Sequence, residues 1–179
     1  MLPGCAWRVA MPEEVSRPKP VVLTDYGRHT RLALPTGEPG MVEYGFGNWH
    51  YYALGERGPV SSFRAIVGIG PATLARRRLP PFEDTDAFFH LVGGRRSVVL
   101  MAEEDRIRDL RESLEGTWRE NLGPERFHAR DDLGFVRYDT TYHLFRNSNH
   151  RTADWLERLG CEIRGVPILS NYRVVDGEP

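Results

Sequence analysis

Four large apolar residues, Ile107, Leu110, Leu114 and Trp118, recur at i, i+3, i+7 and i+11 within an otherwise charged run from Glu103 to Asn121. That spacing predicts one amphipathic helix with a single apolar stripe. Glu103 and Glu104 sit in its first turn, where the helix dipole favours acids, and Gly123-Pro124 ends it. Such a helix needs a flat apolar surface to cover, and the first quarter of the chain offers one. Val21-Val22-Leu23 reads as a strand and Asp25-Tyr26-Gly27 as a turn. From His29 to Leu34 the residues alternate, with His29, Arg31 and Ala33 on one face and Thr30, Leu32 and Leu34 on the other. Pro35–Gly40 reads as a loop, and Met41–Tyr44 as the partner strand of an antiparallel hairpin.

The remaining elements are shorter. Gly45-Phe46-Gly47-Asn48-Trp49 reads as a glycine turn bearing aromatics, with Tyr51 and Tyr52 after it. Residues 61–79 read as two short helical stretches split by Gly68, Gly70 and Pro71, and 80–86 as a loop. Ser97–Met101 is a predicted strand, Phe135–Phe145 an extended aromatic run, and Ile168–Val174 a last strand. A second helix is predicted from Asn147 to Leu159, with Thr152, Trp155, Leu156 and Leu159 as its buried stripe and Gly160 stopping it. Residues 8–20 carry Pro12, Pro18 and Pro20, and 1–19 read as a leader or linker, with 20–179 as a single domain. The expected class is α+β, an antiparallel sheet packed with helices. The 18 glycines and 13 prolines fit a turn-rich chain with short elements.

Charge and cysteine content narrow the functional classes. With 24 basic against 25 acidic side chains, the net charge is −1, which does not point to nucleic acid or an anionic membrane as the main partner. No apolar run approaches the roughly 18 residues a membrane helix requires, so no transmembrane span is expected. Cys5 and Cys161 cannot build a disulfide framework or a four-thiolate zinc site, and no histidine–carboxylate cluster has metal spacing. Neither a metal nor an organic cofactor is implied, since no glycine-rich phosphate loop is present. Met1–Ala6 resembles the end of a bacterial lipoprotein signal, in which a Leu-x-Gly-Cys run precedes lipidation. If translation starts further upstream, the expectation is a cell-envelope protein lipidated at Cys5; otherwise it is a cytoplasmic one.

Chemistry is best placed at Ser148, which opens the second helix. Serine and asparagine are ordinary N-caps. Ser148 also lies at i−4 from Thr152, i−7 from Trp155 and i−11 from Leu159, along the buried stripe. A nucleophile there gains from free backbone N–H groups that favour its ionised form and hold a developing oxyanion. A hydroxyl still needs a base. Six histidines are candidates, and His29 opens the alternating strand. Glu43, on the partner strand, could hold the His29 imidazole in the right tautomer or stand as an ordinary strand carboxylate.

Three segments resemble a family of uncharacterised bacterial envelope proteins: Gly27-Arg28-His29-Thr30-Arg31-Leu32-Ala33-Leu34-Pro35; Val42-Glu43-Tyr44-Gly45-Phe46-Gly47; and Asn147-Ser148-Asn149-His150-Arg151-Thr152-Ala153-Asp154-Trp155-Leu156. That family looks like a branch of the circularly permuted papain-like (NlpC-type) superfamily, alongside the periplasmic domain of lipoprotein N-acyltransferases and the lecithin:retinol-type acyltransferases. The resemblance implies a histidine base on the first core strand, a polar orienting residue on the next and a cysteine at the helix start. Residue by residue, it implies His29 as base, Glu43 as orienting residue and Ser148 at the cysteine position. Tyr44, Phe46, Trp49, Asn149 and Tyr138 would line a substrate groove; the aromatics among them serve equally as core. The implied activity is acyl transfer or amide/ester hydrolysis on a small-molecule, peptide or lipid-linked envelope substrate. Serine in place of cysteine leaves open a serine-using variant, a binding module that has lost catalysis, and an engineered replacement.

Overall fold

The alternation of residues 29–34 becomes part of a seven-stranded sheet in the computed structural model, which describes residues 6–12, 14–56, 70–82, 84–121, 125–129, 132–143 and 146–175. In chain order the strands are β1 (Trp7–Ala10), β2 (Pro18–Asp25), β3 (Thr30–Pro35), β4 (Met41–Asn48), β5 (Gly70–Leu79), β6 (Arg96–Glu103), β7 (Arg126–His128), β8 (Leu133–Tyr142), β9 (Glu162–Arg164) and β10 (Tyr172–Val175). The helices are α1 (Thr85–Val92), α2 (Glu104–Glu120) and α3 (Ser148–Arg158), with a short π-type turn at Trp49–Ala53. The large sheet runs β6-β2-β3-β4-β5-β8-β7, every neighbouring pair antiparallel. A small sheet runs β10-β1-β9, with β10 parallel and β9 antiparallel to β1. The fold is therefore α+β.

The two faces of the large sheet do different work. Leu32, Leu34, Tyr44, Leu74 and Val136 pack against α2 and α3, where Ile107, Leu110, Leu114, Trp118, Trp155, Leu156 and Leu159 are all buried. Val22, Ala33, Met41 and Leu79 on the opposite face pack against Phe88 and Val92 of α1. Both helical stripes thus cover the face that Thr30, Leu32 and Leu34 share, and His29, Arg31 and Ala33 belong to the other.

Several segments differ from their sequence expectation. Gly45–Asn48 is not a turn: β4 runs through it, paired with Ala72–Ala75 of β5. Its glycines serve close approach. A Cβ on Gly47 would stand 2.5 Å from the Tyr52 ring, and one on Gly45 3.3 Å from the Arg31 side chain. Residues 70–79 are a strand and not helical. Ala, Leu and Arg favour helix locally, yet β4 and β8 pair with this segment on both sides and override that preference. Residues 61–69 lie outside the described residues, as do Cys5 and Phe145. The loop at 80–86 gives way to α1 at Thr85, where the Asp84 carboxylate accepts the Ala87 N–H at 2.8 Å. Residues 168–171 are loop, and the last strand begins at Tyr172. Trp7 and Val9, within the segment read as leader, are buried in the main core.

Candidate functional site

The start of α3 is built by two asparagines. Asn147 is the N-cap, its side-chain oxygen accepting the N–H groups of Asn149 at 2.9 Å and His150 at 3.1 Å. The cap role weighed for Ser148 therefore belongs to its neighbour, and Ser148 is the first helical residue, 2% exposed. Its backbone N–H and its hydroxyl lie beside the Tyr142 phenol. Burial raises the Tyr142 pKa, and these two contacts act against that rise. The next turn ties the helix to the histidine segment. The Asn149 amide donates to Arg28 O at 3.4 Å, Thr30 Oγ1 donates to Asn149 Oδ1 at 3.2 Å, and Thr152 Oγ1 donates to Thr30 O at 3.3 Å.

Both neighbours of His29 thus touch α3, while the His29 ring lies with the other face. It stacks on Tyr26 at 5.3 Å between centroids and meets the edge of Tyr52 at 5.7 Å. No hydrogen bond joins His29 to Ser148 among the described residues, and His29 Nε2 is buried with no partner. Burial, followed by the positive charge of Arg31, pulls the His29 pKa down to about 3. The imidazole is neutral at physiological pH.

His29 opens onto a cleft of about 580 Å³ that Arg31, Tyr52, Arg77, His90 and His128 also line. Glu43 ties three of the lining side chains together from within the fold. The carboxylate, 1% exposed, accepts from Tyr26 Oη at 2.6 Å, Arg77 Nε at 2.8 Å and an Arg31 guanidinium nitrogen at 3.2 Å. No hydrogen bond runs from Glu43 to His29 among the described residues; Tyr26 stands between them. Burial and then the Glu43 charge hold the Tyr26 phenol protonated.

The residues expected to line a groove are dispersed. Tyr44 is fully buried and donates to Glu115 at 2.6 Å. Phe46 packs edge-on against Tyr138 at 5.5 Å, and Trp49 is buried in a third apolar cluster. Asn149 is buried at the helix start, and Tyr138 lines a separate cleft of about 780 Å³ beside the C-terminal end of α2. Cys161 is buried, its thiol pushed up to about 11, so it supplies no alternative thiolate. Among the described residues no three His, Cys, Asp or Glu side chains gather closely enough to share a metal ion.

Sequence reasoning missed Tyr26, Arg31, Tyr52 and Arg77. Arg31 was within reach, because alternation places it on the His29 face. Arg77 was not, because its face is defined only once 70–79 is a strand. No family model, curated protein or solved structure matches the chain.

Proposed function

We propose that this chain is a ligand-binding module built on a nucleophile-and-histidine frame, and that it does not perform acyl transfer in its present form. The observation that carries this reading is the placement of the two key side chains. Ser148 is buried beside Tyr142 and makes no hydrogen bond to His29 among the described residues. The His29 ring packs on Tyr26 and against the edge of Tyr52, on the other face and among the residues that line the cleft. A base with a pKa of about 3 is also far below the near-neutral value that general-base catalysis favours. The ligand is a small molecule or the end of a larger envelope component, carrying an oxygen acceptor or oxyanion. The positive field of Arg31 that disfavours a proton on His29 favours such a group in the cleft that Arg31 and Arg77 line.

The test pairs labelling with binding. A serine-directed fluorophosphonate is expected to leave Ser148 unmodified. Inorganic phosphate and acetate are expected to shift the His29 imidazole resonances and raise the thermal midpoint. Labelling of Ser148 that His29→Ala abolishes in a folded protein overturns this reading in favour of acyl chemistry.

The papain-like resemblance supports that second reading, as do the contacts that set the His29 backbone against α3. In it, Ser148 Oγ attacks an ester or amide carbonyl, His29 takes the hydroxyl proton and returns it to the leaving group, and water later hydrolyses the acyl-enzyme. Ser148→Cys tests it: a restored site gives a thiol that reacts with iodoacetamide and titrates below about 8.5.

A further inference from the structure

Three arginines stand side by side across the small sheet. Arg8 on the central strand β1 is directly opposite Arg173 of β10 and Arg164 of β9. All three are exposed. Like charges directly opposite one another destabilise a sheet, so the row costs the fold stability. Glu162 relieves one end only, accepting from Arg164 at 2.7 and 3.0 Å. The loop joining β9 to β10 adds a second feature. Val166, Ile168 and Leu169 are 61%, 37% and 55% exposed and share one short segment. Their backbone is pinned: Trp7 Nε1 donates to Leu169 O at 2.9 Å, and the Asn147 and Asn149 amides both donate to Ile168 O at 3.0 Å. Buried Pro167 sits between the protruding side chains. Arg28 and Arg146, both exposed, flank the same asparagines in sequence or through hydrogen bonds.

From these two features we infer that the small sheet and its 165–171 loop form a docking surface for an anionic lipid bilayer. The arginines meet lipid phosphates and carboxylates, and the three aliphatic tips enter the boundary between headgroups and acyl chains. Basic residues beside an apolar edge are the two elements that interfacial membrane binding combines. Nucleic acid fits less well, because the loop has no aromatic ring on which bases could stack. The net charge of −1 for the whole chain averages over this local excess.

Sedimentation of the full chain with vesicles tests the assignment. One vesicle population is phosphatidylcholine alone; the other holds equal parts phosphatidylcholine and phosphatidylserine. The protein is expected to sediment with the anionic vesicles only and to be released by salt. Arg8→Gln and Arg173→Gln are each expected to weaken partitioning about fivefold, while raising the thermal midpoint because the like-charge contacts are relieved. Val166→Ser with Leu169→Ser is expected to weaken partitioning without altering the fold. Failure of the folded protein to bind anionic vesicles overturns the proposal. So does binding that the serine substitutions leave intact, which would make the partner an acidic polymer or protein, and so does a fall in thermal midpoint in the arginine variants, which would make the row structural. The cleft at His29 takes no part in this surface, so the two readings fail separately.

Discussion

At Glu43 one buried carboxylate holds a phenol and two guanidinium groups together. Such an arrangement behaves asymmetrically. Removing the carboxylate leaves cations in a low-dielectric site, which costs far more than the net worth of the pairs. Glu43→Gln is therefore expected to lower unfolding free energy by about 3 kcal/mol in chemical denaturation, a structural loss that does not depend on any ligand. His29 has its own signature. Its folded pKa of about 3 lies below the ordinary value near 6.5, so between those two pH values the unfolded chain binds one proton more than the folded one. The stability held by neutral His29 is complete above pH 6.5 and drains away as pH falls toward 3. Replacing it by asparagine is expected to flatten the dependence of unfolding free energy on pH across that window, by up to about 1.4 kcal/mol per pH unit. A variant slope equal to that of the parent would mean the imidazole is solvated. His29 was legible as a singular residue because it opens an alternating strand. Its direction was legible too, since alternation puts it opposite Leu32 and Leu34, the face that takes the helix.

At the scale of elements, α3 separates capping from chemistry. Asn147→Ala removes the acceptor for two N–H groups and is expected to cost about 1–2 kcal/mol. Ser148→Ala changes no cap contact and is expected to cost less than about 1 kcal/mol. Equal losses at the two positions would give Ser148 a structural task that its hydrogen bonds do not indicate. Trp155, 2% exposed on the inner face of the same helix, is expected to cost about 3–5 kcal/mol on truncation to alanine. The stripes of α2 and α3 were readable because a single helix face buries every fourth or third residue whatever its partner. Strand β5 was not readable, because its local composition favours helix and only its two neighbours specify otherwise. Gly45 and Gly47 misled for a related reason. Glycine suits turns, but in β4 the alternate glycines leave one face bare so that Arg31 and Tyr52 can lie across it. Gly47→Ala is accordingly expected to displace Tyr52 and narrow the cleft, measured as weakened phosphate-induced shifts at His29 with β-sheet content unchanged by circular dichroism.

Across the whole molecule, sequence patterning conveyed the class of fold but not its closure. The hairpin of β3 and β4 and the two amphipathic helices identify an antiparallel sheet with helices on it. The small sheet has no such local sign, because β1, β9 and β10 are three or four residues long and come from opposite ends of the described chain. The same distance hides the site, since Tyr26, Arg31, Tyr52 and Arg77 meet only after β2 to β5 have paired. One consequence reaches into biosynthesis. Strand β1 is central in its sheet, yet both of its partners lie in residues 162–175. Trp7 likewise completes its indole hydrogen bond on Leu169. During synthesis from the N-terminus, β1 leaves the ribosome long before either of its neighbours has been made. Until then Trp7 and Val9 are available to chaperones as an exposed apolar tag. A nascent chain arrested before residue 162 is expected to recruit them, and one extended past residue 175 to release them.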